Sequence, residues 1–445
     1  MRRSVLSGAP MLALMGVLLL ASCVSTAPPR SSSSAPTNPT PVDGPGVAGA
    51  AFAALPVGPA QRLLNHLVLS SRAPGAILAV SVAGGSPTVL TSGVADPTMQ
   101  RPMAAGDSFW LFSVTKTFVA AALLKLVDEH RLNLDDPINT FGVNWPNGQV
   151  ITVRELLTHT SGIPPLGGDA GWTNRYSAWF DNLLAADPSR SFTPDQILAL
   201  VRNRPPLSTP GTRTTYSNTN TILAGQVLTG VTGLTLTQAL HQLLLGPLDL
   251  NHTFFGAGEV LPVQPDPGVY ADVAGGSLLA TSGDDPTSVV TALGASGAMV
   301  STAGDLVAWG NALLRRPGLL SPAGTALAGR VGPGGTGVGT IGLTPTGPCV
   351  FDLSGCPAGS VFTAVGGFGD GLGAAVALVY DPASDSTLAV FVNEYEDADL
   401  YPTVLSIEAL LDSSRTTKPG STQTSTTRAE GEPSTTTPRN GAAAS

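Results

Sequence analysis

The sequence predicts an α/β fold of the α+β kind: one antiparallel sheet built from both ends of the folded region and flanked by helices, with a mostly helical second lobe. Two hairpin patterns predict it, one near each end, together with a long interval between them in which apolar residues recur at helical spacing. Residues 75–96, GAILAVSVAGGSPTVLTSGVAD, alternate and carry β-branched side chains on both sides of a Gly-Gly-Ser-Pro turn. Residues 373–395, GAAVALVYDPASDSTLAVFVNEY, repeat the pattern with a turn at 381–386, and a final helix is expected over 401–411. Between the hairpins, the stretch 112–138 is expected to begin as a helix, and further helices are expected over 153–159, 195–202, 221–231 and 236–245. No internal repeat is visible.

The ends of the chain read differently. Met1, Arg2 and Arg3 precede an apolar run over 9–21 that ends in LASC, residues 20–23. The run is shorter than the roughly 20 residues a membrane span needs and has the basic start of an export signal. LASC resembles the bacterial lipoprotein cleavage box, which implies that Cys23 becomes the lipid-bearing first residue; an ordinary signal peptide with an incidental cysteine is the alternative. Several acyl chains there would hold the protein at the extracytoplasmic face of the cell membrane. Residues 1–22 are thus read as signal peptide and 23–50, rich in Pro and Ser, as a disordered tether. Residues 51–412 form the folded domain, and 413–445 a disordered tail.

Composition narrows the function classes. A net charge of −9 and a pI near 5 argue against a nucleic-acid partner, which needs a basic face. The five histidines show no ligand spacing with one another or with carboxylates, so neither metal nor cofactor is expected. Cys349 and Cys356 lie in a Gly- and Pro-rich loop and could close a small disulfide in an oxidising compartment; two free thiols are the alternative.

The chemistry starts from Lys116, one of three lysines in the chain. It lies in the first turn of an apolar helix, in line with Ala120, Leu123 and Val127, and no acidic residue sits three or four positions away. A lysine desolvated without an ion-pair partner has its pKa lowered and can accept a proton near pH 7. Ser113 lies one turn earlier on the same face, at the helix N-terminus whose partial positive charge favours a developing alkoxide. A neutral amine beside a hydroxyl is an activated nucleophile. A lysine that snorkels its ammonium to solvent is the plainer alternative.

A second element supplies Tyr216 and Asn218, two apart in a turn before an apolar helix over 221–231. The phenol can shuttle a proton if cations nearby lower its pKa, and the amide can orient Lys116 and bind a substrate carbonyl. Ser217 or Asn218 could equally cap the helix that follows.

SVTK at Ser113, YSN at Tyr216, ITVRELLTHTSGIP over 151–164 and SGAMVSTAGDLVAWGNALL over 296–314 together resemble the serine β-lactamase and penicillin-binding superfamily. The likeness is to its class C-like branch of D-alanyl-D-alanine carboxypeptidases, β-lactamases and esterases, and it runs in order through nearly all of 51–412. It implies a β-lactamase-like fold. It also implies that Ser113 forms an acyl-enzyme, Lys116 and Tyr216 move protons, Asn218 positions the substrate, and His159 is structural.

The chain departs from the family at the third motif. Relatives carry Lys or His, then Thr or Ser, then Gly on the strand edging the cleft; here the matching residues are Ala364, Val365 and Gly366. Those side chains bind a substrate carboxylate in relatives, whereas the oxyanion hole uses main-chain N–H groups, implied here at Ser113 and Gly367. Loss of the polar pair shifts the expected substrate from penicillins, D-alanyl-D-alanine peptides or other peptidoglycan-derived molecules toward small neutral esters or amides. A degenerate relative that binds cell-wall material without turnover is the second reading. A Ser-His-Asp hydrolase is poorly supported, since the chain has no Gly-x-Ser-x-Gly elbow.

Overall fold

The computed structural model describes residues 54–416, except 97–99, 167–182, 258–260, 262–269, 274–276, 281–284, 316–317, 345–355, 357–358, 372 and 395–399. Cys23, the expected signal peptide and most of the tether and tail lie outside the described residues. Cys349 does too, while Cys356 is disulfide-bonded.

The strands are β1 (Gly75–Val82), β2 (Thr88–Asp96), β3 (Arg101–Pro102), β4 (Ser108–Trp110), β5 (Phe254–Phe255), β6 (Tyr270–Val273), β7 (Ser277–Ala280), β8 (Met299–Thr302), β9 (Ile341–Leu343), β10 (Ala364–Gly371), β11 (Ala374–Asp381) and β12 (Ser386–Val392). The helices are α1 (Val57–Ser70), α2 (Thr115–Asp128), α3 (Val153–Leu157), α4 (Pro194–Ala199), α5 (Asn218–Thr232), α6 (Leu236–Leu240), α7 (Thr287–Leu293), α8 (Ala303–Leu314), α9 (Pro322–Gly329) and α10 (Leu400–Thr416). Seven strands form the main sheet in the order β3-β2-β1-β12-β11-β10-β9, with smaller sheets β4-β8-β5 and β6-β7. Both expected hairpins are present and are joined edge to edge by antiparallel pairing of β1 with β12, in which Leu78 faces Val390.

The central strands read as nearly unbroken apolar runs because helices cover both faces of the sheet. Ile77, Ala79, Val376, Leu378, Ala389 and Phe391 point into the larger core with α2 and α8. Their neighbours Ala76, Leu78, Val80, Ala377, Val379 and Val390 point the other way, against Leu64 and Leu67 of α1 and Val404 and Ile407 of α10. The turns between strands are fixed by local chemistry. Ala83 and Gly84 take left-handed φ values of 52° and 70° after β1, and the Asp381 carboxylate accepts the Ala383 and Ser384 amides after β11. Arg315 then grips Asp385 through two N–H bonds of 2.9 and 3.0 Å, tying the end of α8 to the second hairpin.

Several boundaries differ from the sequence reading. The residues Phe112–Val114 form a tight 3₁₀ turn before α2 begins, and 241–245 continue α6 as a π-helical turn. The last helix runs to Thr416, past the expected domain end at Asp412, with the Ser413 and Ser414 hydroxyls turned back onto Leu410 and Leu411 carbonyls. That composition read as tail because serine favours caps and turns, yet the hydroxyls here bond back to carbonyls within the helix.

Helix α10 also carries Glu408, whose side chain is buried with one oxygen lacking a hydrogen-bond partner among the described residues. Burial, reinforced by Asp381 and Asp412, raises its pKa from 4.5 to about 8. Between those values the folded state holds a proton that the unfolded chain has released, so stability falls as pH rises and this contribution is lost as pH passes about 8. Glu408→Gln is expected to flatten that slope and to stabilise the protein at about pH 8.5 by roughly 1–2 kcal/mol. Melting curves across pH check it; an unchanged slope would clear Glu408 of the effect.

Candidate active site

The site is built where β4, α2, the loop before α5, the start of β8 and the strand β10 converge. The chain leaves β4 through Leu111, whose amide donates to the Met299 carbonyl at 2.8 Å. Phe112 follows with φ of 40°, a left-handed conformation costly for a bulky side chain. That kink delivers Ser113 half-buried at the head of α2. The helix behind it is held on nearly every side: Phe118 stacks on Trp309 at 4.0 Å, and Trp309 Nε1 donates to the Thr117 hydroxyl at 2.9 Å. Thr115 accepts the Met299 amide at 3.0 Å.

Lys116 is 5% exposed, and its Nζ lies 2.8 Å from Ser113 Oγ while donating to the Ser296 carbonyl at 2.9 Å. Burial lowers its pKa from 10.5 to about 7, against an opposing pull from the negative charge of Asp370. The amine is therefore neutral in a large fraction of molecules at neutral pH, when it accepts the Ser113 proton bond instead of donating. The snorkelling alternative is excluded by this geometry: the nitrogen is inside, not in solvent.

Tyr216 sits over the same amine, with Lys116 Nζ 4.9 Å from the ring centroid. In the sequence reading the phenol shuttles a proton if nearby cations lower its pKa. Burial instead raises it well above the ordinary tyrosine value, outweighing the lowering effect of Ser113 beside it. Tyr216 is thus a protonated hydroxyl at neutral pH.

His159 positions this loop. Its ring packs 4.6 Å from that of Tyr216, its Nδ1 accepts the Ser217 amide at 3.2 Å, and its carbonyl accepts the Thr215 amide at 2.8 Å. Burial, and then the Lys116 charge, lowers its pKa to about 3, so the imidazole is neutral. Gly162, in the same segment, has φ of 74°, and a Cβ there would lie 2.1 Å from the Ser208 carbonyl oxygen. Only glycine lets the two loops approach so closely.

Asn218 opens α5, 7% exposed, with its side-chain oxygen lacking a hydrogen-bond partner among the described residues. Neither it nor Ser217 caps the helix: α5 has no side-chain cap, and the Ser217 hydroxyl donates to the Pro164 carbonyl at 3.4 Å.

Strand β10 presses a row of glycines onto the nucleophile turn. A Cβ on Gly369 would lie 2.8 Å from the Ser113 nitrogen and 2.3 Å from the Leu111 oxygen, and one on Gly371 would lie 2.8 Å from the Phe112 ring. Gly367 faces Thr117 and Val114 at 3.2 and 3.5 Å, whereas Gly366 faces the backbone of Leu378. Ala364 and Val365 are buried on opposite faces of the sheet. The residue brought onto the Ser113 amide is therefore Gly369, two positions beyond Gly367. The period-two spacing of Gly367, Gly369 and Gly371 was the available signal, since glycines on one strand face mark close backbone approach.

Three further contributors were not anticipated. The Ser296 carbonyl holds Lys116. Asp370 is exposed, and its charge acts on Lys116, Tyr216 and Tyr401. Tyr401, in the first turn of α10, packs on Phe368 at 4.7 Å and has its pKa raised by burial and by Asp370.

A serine hydroxyl 2.8 Å from a desolvated amine, with a protonated phenol packed over that amine, has the arrangement of a serine acyl-transfer centre. The beta-lactamase family matches residues 60–407, and the chain belongs to that family. Its curated relatives include Protein flp of Staphylococcus aureus (strain MW2), 29% identical over 202 residues, or 43% of this chain and 37% of that protein. A beta-lactamase of Escherichia coli (strain K12) is 28% identical over 201 residues, 44% of this chain and 47% of that protein. The aligned part thus spans less than half the length of either. Among solved structures, a D-stereospecific amidohydrolase from Streptomyces sp. is 26% identical with a TM-score of 0.63, covering 79% of this chain and 97% of that one. The D-amino acid amidase from Ochrobactrum anthropi SV3, complexed with L-phenylalanine amide, has a TM-score of 0.65 at 22% identity, covering 81% and 99%; at that identity the likeness is one of fold.

Proposed function

We propose that the protein is an extracytoplasmic serine hydrolase that acts through an acyl-enzyme on Ser113, on small ester or amide substrates, and is held at the membrane surface by lipid on Cys23. The observation that carries the enzymatic reading is the 2.8 Å approach of Lys116 Nζ to Ser113 Oγ, at an amine whose pKa burial has brought to about 7. Ser113 Oγ attacks the substrate carbonyl carbon while Lys116 Nζ takes the hydroxyl proton. The carbonyl oxygen becomes a tetrahedral oxyanion facing the Ser113 N–H and the β10 backbone. As the intermediate collapses, the bond to the leaving oxygen or nitrogen breaks, and that atom receives a proton from the Tyr216 hydroxyl. Lys116 restores the phenol's proton. A water molecule then repeats the sequence on the acyl-enzyme and releases the acid.

The likeness to the amidohydrolase and the amidase favours amide substrates, and that to the Escherichia coli beta-lactamase favours β-lactams. The absence of Lys or His at residues 364–367 argues against the carboxylate-bearing class.

Exposure of the protein to a fluorophosphonate and to a fluorescent penicillin separates the readings. Labelling by the first alone, abolished in Ser113→Ala, is the expected result. Labelling by both would return penicillin recognition to the protein, and labelling by neither would leave a binding relative without turnover.

A further inference from the structure

We infer that His159 is the positioning residue for the Tyr216 hydroxyl, and that through it the protein expels leaving groups that must be protonated, those of amides and unactivated esters. The inference rests on the hydrolase reading, in which Tyr216 protonates the leaving atom, and extends it to the substrate class the site cleaves.

Tyr216 lies in a stretch with no helix or strand of its own, between α4 and α5. Its aim is therefore set by contacts from outside that stretch, and His159 supplies three of them. The His159 carbonyl accepts the Thr215 amide at 2.8 Å, and its Nδ1 accepts the Ser217 amide at 3.2 Å. Between those two bonds the imidazole packs 4.6 Å from the Tyr216 ring, tilted by 35°. One residue thus holds the phenol by its ring and by the amide on either side of it. His159 does so with a left-handed φ of 56°, uncommon outside glycine. Its own segment is fixed in turn: the Thr336 hydroxyl donates to the Thr158 carbonyl at 2.9 Å, and the Thr160 amide to the Glu155 carbonyl at 2.9 Å.

The chemistry of the ring suits holding rather than proton transfer. A main-chain amide only donates, so the Ser217 bond requires an Nδ1 without a proton. Asn220 fits the same tautomer: its oxygen accepts the Ser161 hydroxyl at 2.6 Å, which leaves its Nδ2 to donate to the same Nδ1 at 3.3 Å. Burial, and then the Lys116 charge, keeps the imidazole neutral, with its single proton on Nε2.

The consequence appears when the tetrahedral intermediate collapses. The bond from the carbonyl carbon to the leaving atom breaks, and its electron pair stays on that atom. A 4-nitrophenolate carries the pair as a stable anion. An alkoxide or an amide nitrogen does not; it takes the Tyr216 proton, which the Lys116 ammonium then replaces. A phenol moved by a fraction of its own length loses that transfer while attack by Ser113 continues.

Two carboxamides at position 159 test the grip. In His159→Asn the amide stands where Nδ1 stands, within reach of the Ser217 amide; in His159→Gln it stands one atom further out, where Nε2 stands. The readout is the ratio of kcat/KM for ethyl butanoate to that for 4-nitrophenyl butanoate, two esters with one acyl group. His159→Gln is expected to lower this ratio by about tenfold or more, and His159→Asn to keep it within about threefold of wild type. Tyr216→Phe sets the floor, and adding His159→Gln to it should lower the ratio no further. A merely structural role would slow both esters alike and leave the ratio unmoved. Asn220→Ala frees the imidazole without altering residue 159; it should lower the same ratio, and it carries the test if His159→Gln does not fold. The inference is overturned by a wild-type ratio no higher than that of Tyr216→Phe, or by ratios that stay at the wild-type value in the Gln and Ala variants. It is equally overturned if Asn impairs the ratio as much as Gln, or if His159→Gln lowers it further without the phenol. In each of those cases fluorophosphonate labelling of Ser113 keeps the hydrolase reading; failure of Ser113 to label in the wild type overturns both.

Discussion

Replacement of Lys116 by methionine is expected to slow acylation of Ser113 by about 10²–10⁴-fold, the range supplied by a positioned general base. Methionine fills much of the same volume and removes an amine whose burial is costly, so the fold and thermal stability should survive the change. The pH profile gives the more specific readout. With a lysine pKa of about 7 in the folded protein, kcat/KM should rise as pH increases through neutrality, because the base form appears only as the proton leaves. In the methionine variant the residual rate should lose that limb. A limb that persists near pH 7 without Lys116 would assign the titration to another group and remove the lysine from its role.

The second large effect belongs to Gly369. Its alanine variant places a methyl group 2.3 Å from the Leu111 oxygen and 2.8 Å from the Ser113 nitrogen, both backbone atoms of the turn that aims the nucleophile. Either β10 or the turn must retreat, and a displacement of that order costs about 10²-fold in rate when it misaligns attack or oxyanion stabilisation. Gly367→Ala is the internal comparison. Its methyl would meet the Thr117 side chain at 3.2 Å and Val114 Cα at 3.5 Å, contacts that small shifts relieve. We expect it to cost less than about tenfold in labelling rate. Equal losses in the two variants, with melting temperatures matched, would mean that Gly369 has no special hold on the nucleophile.

The serine and lysine were legible because helical spacing is rigid: three residues apart on one face determines proximity without knowledge of the rest of the fold. Both hairpins were legible for a similar reason, since period-two alternation and turn residues are local. The helix start was less so. Nothing in FSVT announces that Phe112 adopts a left-handed φ, which the fold imposes between β4 and α2. The strand opposite was the hardest part. AVGGFGDG has few side chains with which to alternate, and its register is set by contact with the turn around Ser113, a long-range relation. Nothing in the motif shows that Gly369 and Gly371 press on the turn around Ser113. Asp370 and Tyr401 went unnoticed because they lie on a strand and a helix whose approach is set by the fold. The direction of the Tyr216 shift was also out of reach, since it depends on how deeply the phenol is buried.

The pairing of β1 with β12 has a bearing on how the protein comes into being. Gly75 begins one of these strands and Val392 ends the other, so the centre of the sheet waits for the whole interval between them to leave the ribosome. Contacts of such separation form slowly, and a chain that cannot complete its main layer early stays open for longer. A nascent chain stopped before residue 386 would lack β12 altogether, and with it the strand on which α8 packs.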